Sequence, residues 1–152
     1  MKISAALFPL LVLAVLAGCV APAVSTSAGR VVVPAPTVGR SPSWTPTAEE
    51  LAIAEKNLAF LLANPDERVF GLGQNLPPHP FSAYWVRYTA AGPLDNKYLI
   101  GVAALPGTVA QDEFLAPATS DLRAVELGAA PGNFQFIYNL KLQRVTEIRF
   151  NK

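Results

Sequence analysis

The stretch 47–63, TAEELAIAEKNLAFLLA, decides the fold class. Thr47-Ala48-Glu49-Glu50 has the spacing of a capping box. The Thr47 hydroxyl can accept from the amide of residue 50, and Glu50 can reach back to the amide of Thr47. Glu49 and Glu50 also suit the positive end of a helix. The run that follows is rich in Ala, Leu, Glu and Lys, all good helix formers. Asn64-Pro65 ends it, because a residue before proline avoids helical geometry. Leu51, Ala54, Leu58, Leu61 and Leu62 share one face at helical spacing. Ile53 and Phe60 lie nearly opposite, beside Lys56. Two readings of that pair stand: apolar residues under a flanking loop, or contacts for a partner.

Downstream the pattern changes from helical to strand-like. Residues 64–80 read as a long connection, broken by Gly71-Leu72-Gly73 and Pro77-Pro78-His79-Pro80. Residues 81–89, FSAYWVRYT, are dense in aromatic and β-branched side chains and predict a strand. Residues 98–105, YLIGVAAL, predict a second strand, apolar on both sides and therefore central. A weaker strand is predicted over 122–127. Phe134, Phe136 and Tyr138 alternate with Gln135, Ile137 and Asn139 at a period of two. In 144–150, Thr146, Ile148 and Phe150 fall on one face, with Glu147 and Arg149 on the other. The segment between has no glycine, so a terminal hairpin and one long strand are both open. The expected class is α+β: one N-terminal helix packed on a four- to five-stranded, mostly antiparallel sheet. The order of elements is similar to the helix-on-curved-sheet architecture of the cystatin-like kind.

The chain has 152 residues and 16.2 kDa, enough for one domain. Charged residues are 15% and hydrophobic ones 51%, which excludes a wholly disordered chain. The formal net charge of +1 gives no electrostatic case for nucleic acid. All 11 acidic residues lie from Glu49 onward, with every basic residue except Lys2, Arg30 and Arg40, so the domain is mildly acidic. A single cysteine forbids an internal disulfide, and a single histidine excludes any site needing two.

The N-terminus reads as an address. Met1-Lys2 gives a positive start, an apolar run interrupted by Pro9 follows, and Leu16-Ala17-Gly18-Cys19 closes it. The run is too short for the roughly 20 residues of a permanent span and fits a secretory signal. The small pair Ala17-Gly18 lets an extended backbone enter a peptidase groove, and the Cys19 thiol is a soft nucleophile. These residues resemble the lipobox of bacterial lipoproteins. That resemblance implies cleavage before Cys19, diacylglycerol on its sulfur and acylation of the new amine. The alternative is an ordinary signal peptide cut after Ala21 or Ala23. Val20 departs from the Asp that resembles an inner-membrane retention signal, so the resemblance points to the outer membrane.

Residues 20–47 are rich in Pro, Ser and Thr, a composition that favours an extended, solvated tether. Arg30-Val31-Val32-Val33 is the local exception, either an edge strand or a sticky spot in the linker. The expected organisation is a signal peptide over 1–18, a lipidated tether over 19–46 and a small domain over 47–152.

The chemistry-bearing residues form no marked constellation. A Ser-His-Asp arrangement would need His79 with Ser82 or Ser120 and Asp121 or Asp95, and no Gly-x-Ser-x-Gly turn occurs. Asp66-Glu67 and Asp112-Glu113 are adjacent pairs without calcium-loop or zinc spacing, so no metal or cofactor is expected. Gly71-Leu72-Gly73 lacks the rest of a phosphate loop. Trp85 and Arg87 share one face of a strand and, with Ile53 and Phe60, are the candidate partner contacts. The expected function is a lipid-anchored envelope lipoprotein, not an enzyme, acting as a binding or assembly module in the periplasm. Its partners would be the membrane, through Cys19, and an envelope protein. The alternative is an inhibitor or immunity-like protein that blocks an envelope enzyme through the loop 76–81.

Overall fold

The computed structural model describes residues 24–27, 29–33, 44–64, 79–117 and 119–151. The segment 1–18, Cys19, the tether residues 20–23 and 34–43 and most of the connection 64–80 lie outside them. In chain order the elements are β1 (Val24–Ser27), β2 (Arg30–Val33), α1 (Ala48–Ala63), a 3-10 turn (Phe81–Ala83), β3 (Trp85–Ala91) and β4 (Tyr98–Ala104). Then come α2 (Gln111–Phe114), α3 (Asp121–Leu127), β5 (Phe134–Asn139) and β6 (Arg144–Phe150). The strands form one six-stranded sheet in the spatial order β1 to β6. Every neighbouring pair is antiparallel except β2 and β3. The class is α+β, with α1 packed on a mostly antiparallel sheet.

Both capping-box bonds form at α1. Thr47 Oγ1 accepts from the Glu50 amide at 3.1 Å, and the Thr47 amide donates to Glu50 Oε2 at 2.8 Å. Burial pushes the Glu50 carboxyl up, but the Thr47 amide and the Lys97 ammonium outweigh it and hold it below its ordinary 4.5. At the other end Asn64 returns two bonds to the Phe60 carbonyl. Leu51, Ala54, Leu58 and Leu62 are the buried face, with Leu61 partly covered beside them.

That face meets Val86, Tyr88 and Ala90 of β3, Leu99 and Ala103 of β4, Phe134, Phe136 and Tyr138 of β5, and Val145 and Ile148 of β6. Each fully buried Leu or Phe contributes about 1.5–3 kcal/mol of hydrophobic stabilisation. The aromatics meet edge-on: Tyr84 and Phe134 centroids are 5.0 Å apart at 74°, Tyr88 and Phe136 6.0 Å at 77°. Gly101 makes this layer possible. A Cβ there would sit 2.1 Å from Phe136 Cζ, so only glycine lets the ring lie flat over β4.

Four expectations are corrected. First, residues 122–127 are helix α3, not a strand. Ser120 Oγ accepts from the Arg123 amide at 3.2 Å, a side-chain cap that commits the chain to a helical turn. Second, the strand expected over 81–89 begins at Trp85, because Pro80 leads into a 3-10 turn over Phe81–Ala83. Third, the tether is not wholly free chain. Val31 and Val32 are buried in β2, and buried Trp44 donates from Nε1 to the Gly92 carbonyl at 3.0 Å. β2 pairs with β3 from Arg30↔Val86 to Val33↔Thr89, and α1 lies in the crossover that a parallel pair requires. Fourth, a bulge lets Tyr138 pair with Val145 while Ile137 pairs with Glu147. Thr146 is therefore turned outward, and Val145 takes its place on the core face with Ile148.

The terminal segment is a hairpin. Its turn works without glycine because Asn139 Oδ1 accepts from the Leu142 amide at 2.8 Å and Gln143 takes a φ of 49°. A second apolar layer, not expected from the sequence, lies on the other face of the sheet. There α2 and the chain around it bury Phe114 against Val102 and Ala104, with Trp85, Val109, Leu115 and Leu127 at the margin.

Candidate functional site

Among the described residues Arg87 is the most deeply placed charged group, only 1% exposed near the centre of β3. Its guanidinium brackets the chain between α2 and α3. Nη1 donates to the Ala116 carbonyl at 2.8 Å, and Nη2 donates to the Thr119 carbonyl. Its Nε has no hydrogen-bond partner, and the nearest anion is Asp121 Oδ1 at 3.9 Å. Desolvation lowers the Arg87 pKa from its ordinary value, and the Asp121 charge opposes that. Asp121 itself accepts from Thr89 Oγ1 at 2.9 Å. The cluster thus fixes the outer helices to the sheet, and Arg87 does not reach the surface.

A second polar cluster ties β2 and β3 to α1. Glu55 Oε1 accepts from Arg30 Nε at 3.0 Å and from the Tyr88 hydroxyl at 2.8 Å. Arg30 also donates to the Tyr84 carbonyl and stacks 4.9 Å over the Phe81 ring. Burial first, and then the Glu55 charge, push the Tyr88 hydroxyl pKa well above its ordinary 10.0. Both clusters are charge-assisted braces built on backbone carbonyls and one carboxylate.

Of the four residues expected to meet a partner, the structure brings no exposed group together. Arg87 is buried, which corrects its reading as a surface anchor. Trp85 is half-buried against the Phe114 layer. Ile53 is half-buried on α1, and Phe60, 69% exposed, stands alone near its C-terminal end. Phe81, the last residue of the proposed inhibitory loop, is a core residue. Residues 76–78 of that loop lie outside the described residues.

The other chemistry-bearing residues are dispersed. His79 is exposed just before the 3-10 turn and Ser82 is exposed within it, Ser120 caps α3, and Asp121 is engaged by Thr89. Among the described residues no group of three or more His, Cys, Asp or Glu side chains comes close enough to hold a metal. No helix among them is long and apolar enough to cross a membrane.

What sequence reading missed are apolar side chains left in water. Leu122, at the start of α3, is 80% exposed, and Ile100 and Val125 are exposed nearby on the same side of the sheet. Ile100 also lines a shallow depression of about 260 Å³ with Gln135, Ile137, Glu147 and Arg149. Leu94 and Leu142 stand on two hairpin turns. A leucine between Pro93 and Asp95-Asn96 was the available signal, since a turn centre normally carries polar residues. Comparison with known proteins finds no matching family model, no matching curated relative and no matching solved structure.

Proposed function

We propose that the protein is a lipid-anchored lipoprotein of the bacterial cell envelope, held at the outer membrane and facing the periplasm. Its α+β domain is a non-catalytic binding or assembly module. The observation that carries the reading is Leu16-Ala17-Gly18-Cys19, set directly after a positive start and an apolar run. Two or more acyl chains on Cys19 hold firmly, because each buried methylene contributes about 0.8 kcal/mol. The domain supplies what such a module needs: a rigid sheet braced by Arg87 and Glu55, and exposed apolar side chains at Ile100, Leu122 and Phe60 for protein contact.

Metabolic labelling with palmitate tests the anchor. The wild-type chain takes up label and sediments with membranes, whereas Cys19→Ser takes up none and is released. Label persisting in Cys19→Ser sinks the anchor. Crosslinking in intact cells followed by mass spectrometry then recovers a specific envelope protein. Recovery of one hydrolase whose activity is suppressed transfers the assignment to an inhibitor.

A further inference from the structure

Among the described residues, Arg87 Nε is the buried side-chain donor that no hydrogen bond answers. Nη1 and Nη2 of the same guanidinium are occupied by the Ala116 and Thr119 carbonyls. Asp121 Oδ1 lies 3.9 Å from Nε, beyond hydrogen-bond reach, and accepts from Thr89 Oγ1 at 2.9 Å. A carboxylate oxygen has room for a second donor. A donor and an acceptor thus stand side by side without meeting. Arg87, Thr89 and Asp121 all line one cavity of about 90 Å³. Arg87, Thr89 and Val102 are buried and form its floor, while Ile100, Val125 and Asp121 are partly exposed and form its mouth. The space is several times what one water requires. Away from the charged groups its wall is aliphatic, from Ile100, Val102 and Val125. An apolar wall with a few convergent polar groups is the make-up of a small-molecule site.

We infer that this cavity binds a small neutral molecule carrying a hydroxyl on a short apolar stem. The hydroxyl oxygen accepts from Arg87 Nε and its proton is donated to Asp121 Oδ1. An oxygen about 2.8 Å from each spans the 3.9 Å between them. The stem lies on Ile100, Val102 and Val125. Charge selects against the alternatives. A carboxylate would answer Nε but stand against Asp121, and an ammonium would answer Asp121 but stand against Arg87. Like charges in a site partly screened from water repel strongly, so both are disfavoured. Water has the two functions of a hydroxyl but leaves the aliphatic wall uncovered, whereas the stem covers it. The site belongs to the domain alone and is independent of what Cys19 carries.

The test titrates the isotope-labelled full-length chain with propanol, propionate and propylamine, one stem bearing a hydroxyl, a carboxylate or an ammonium. Nuclear magnetic resonance follows the Arg87 Nε–H signal and the methyl signals of Ile100, Val102 and Val125. Propanol should shift all four together and saturably, with an affinity several-fold above that of propionate or propylamine. Val125→Leu narrows the mouth at a partly exposed position and should weaken propanol several-fold while the rest of the spectrum keeps its dispersion. Asp121→Asn keeps an acceptor for Thr89 but removes the charge, and should admit propionate. Equal binding of the three probes, or methyl shifts without the Nε–H shift, reduces the cavity to an apolar crevice and overturns the inference. Preference for propionate in the wild-type chain overturns the hydroxyl assignment. No saturable response to propanol leaves Arg87 Nε to solvent and overturns the site.

Discussion

The two faces of the sheet are built on different principles. The face under α1 is continuous and apolar, spanning β2 to β6, and its polar atoms are few and answered. The hydroxyls of Tyr84, Tyr88 and Tyr138 bond to the Gly132 carbonyl, to Glu55 and to Asn57. Among the described residues α2, α3 and the chain between them cover the outer face over β3 and β4, and Val31 of β2 is buried as well. There the packing is small, a buried arginine holds the covering chain, and β5 and β6 show Gln135, Ile137, Glu147 and Arg149 to the open side. Stability therefore resides on the inner face. The outer face and the sheet ends are where the molecule is free to present groups to other surfaces.

The inner face should be the more costly to damage. Leu58 is fully buried between α1 and the sheet, so Leu58→Ala should destabilise the domain by about 2–5 kcal/mol, measured by urea unfolding. A smaller loss, approaching that of a surface substitution, would break the contrast between the faces.

The outer face should respond locally. Arg87→Met removes the donors to Ala116 and Thr119 and leaves two carbonyls short of partners, at a cost of about 1–3 kcal/mol. Amide hydrogen exchange should accelerate in 111–127 while α1 and β5 keep their protection. Uniform acceleration across the domain would show that Arg87 supports the whole fold.

Alkaline pH should also act through the inner face. Burial raises the hydroxyl pKa of Tyr84, Tyr88 and Tyr138, with Tyr88 the furthest above its ordinary 10.0. The folded state then keeps protons that the unfolded chain releases. Stability from these groups is complete below about pH 10 and declines as pH rises through the raised folded values. Denaturation midpoints should be flat across neutral pH and fall above 10, and Tyr88→Phe should blunt the fall. The smallest effect is expected at Phe60→Ser, where an exposed ring makes stability change by less than about 0.5 kcal/mol.

The elements that sequence reading found are those whose signals are local. Thr47 and Glu50 announce α1, the alternation at Phe134, Phe136 and Tyr138 announces β5, and the apolar run of β4 places it centrally. What it left open or lost depends on distant partners. Arg30-Val33, where an edge strand was one of two open readings, is a strand because β3, more than fifty residues later, pairs with it, and β1 on its other side makes it internal rather than an edge. The segment Asp121–Leu127 is too short for its helical spacing to overrule alternation, and only Ser120 marked the cap. Thr146 changed faces through a bulge that no composition rule locates.

The candidate site was less legible than the fold. Trp85 and Arg87 share a face as expected, but α2 and α3 cover it, so an anchor-like pair became packing. Leu94 and Leu142 stand on neighbouring turns because two hairpins end side by side, a consequence of sheet order rather than of either turn.

Intact-mass analysis of the mature chain purified from native membranes tests the central claim most directly. The account predicts a polypeptide beginning at Cys19 and carrying the added mass of a diacylglyceryl group and an amide-linked acyl chain. An unmodified chain beginning at residue 20 or later would contradict it.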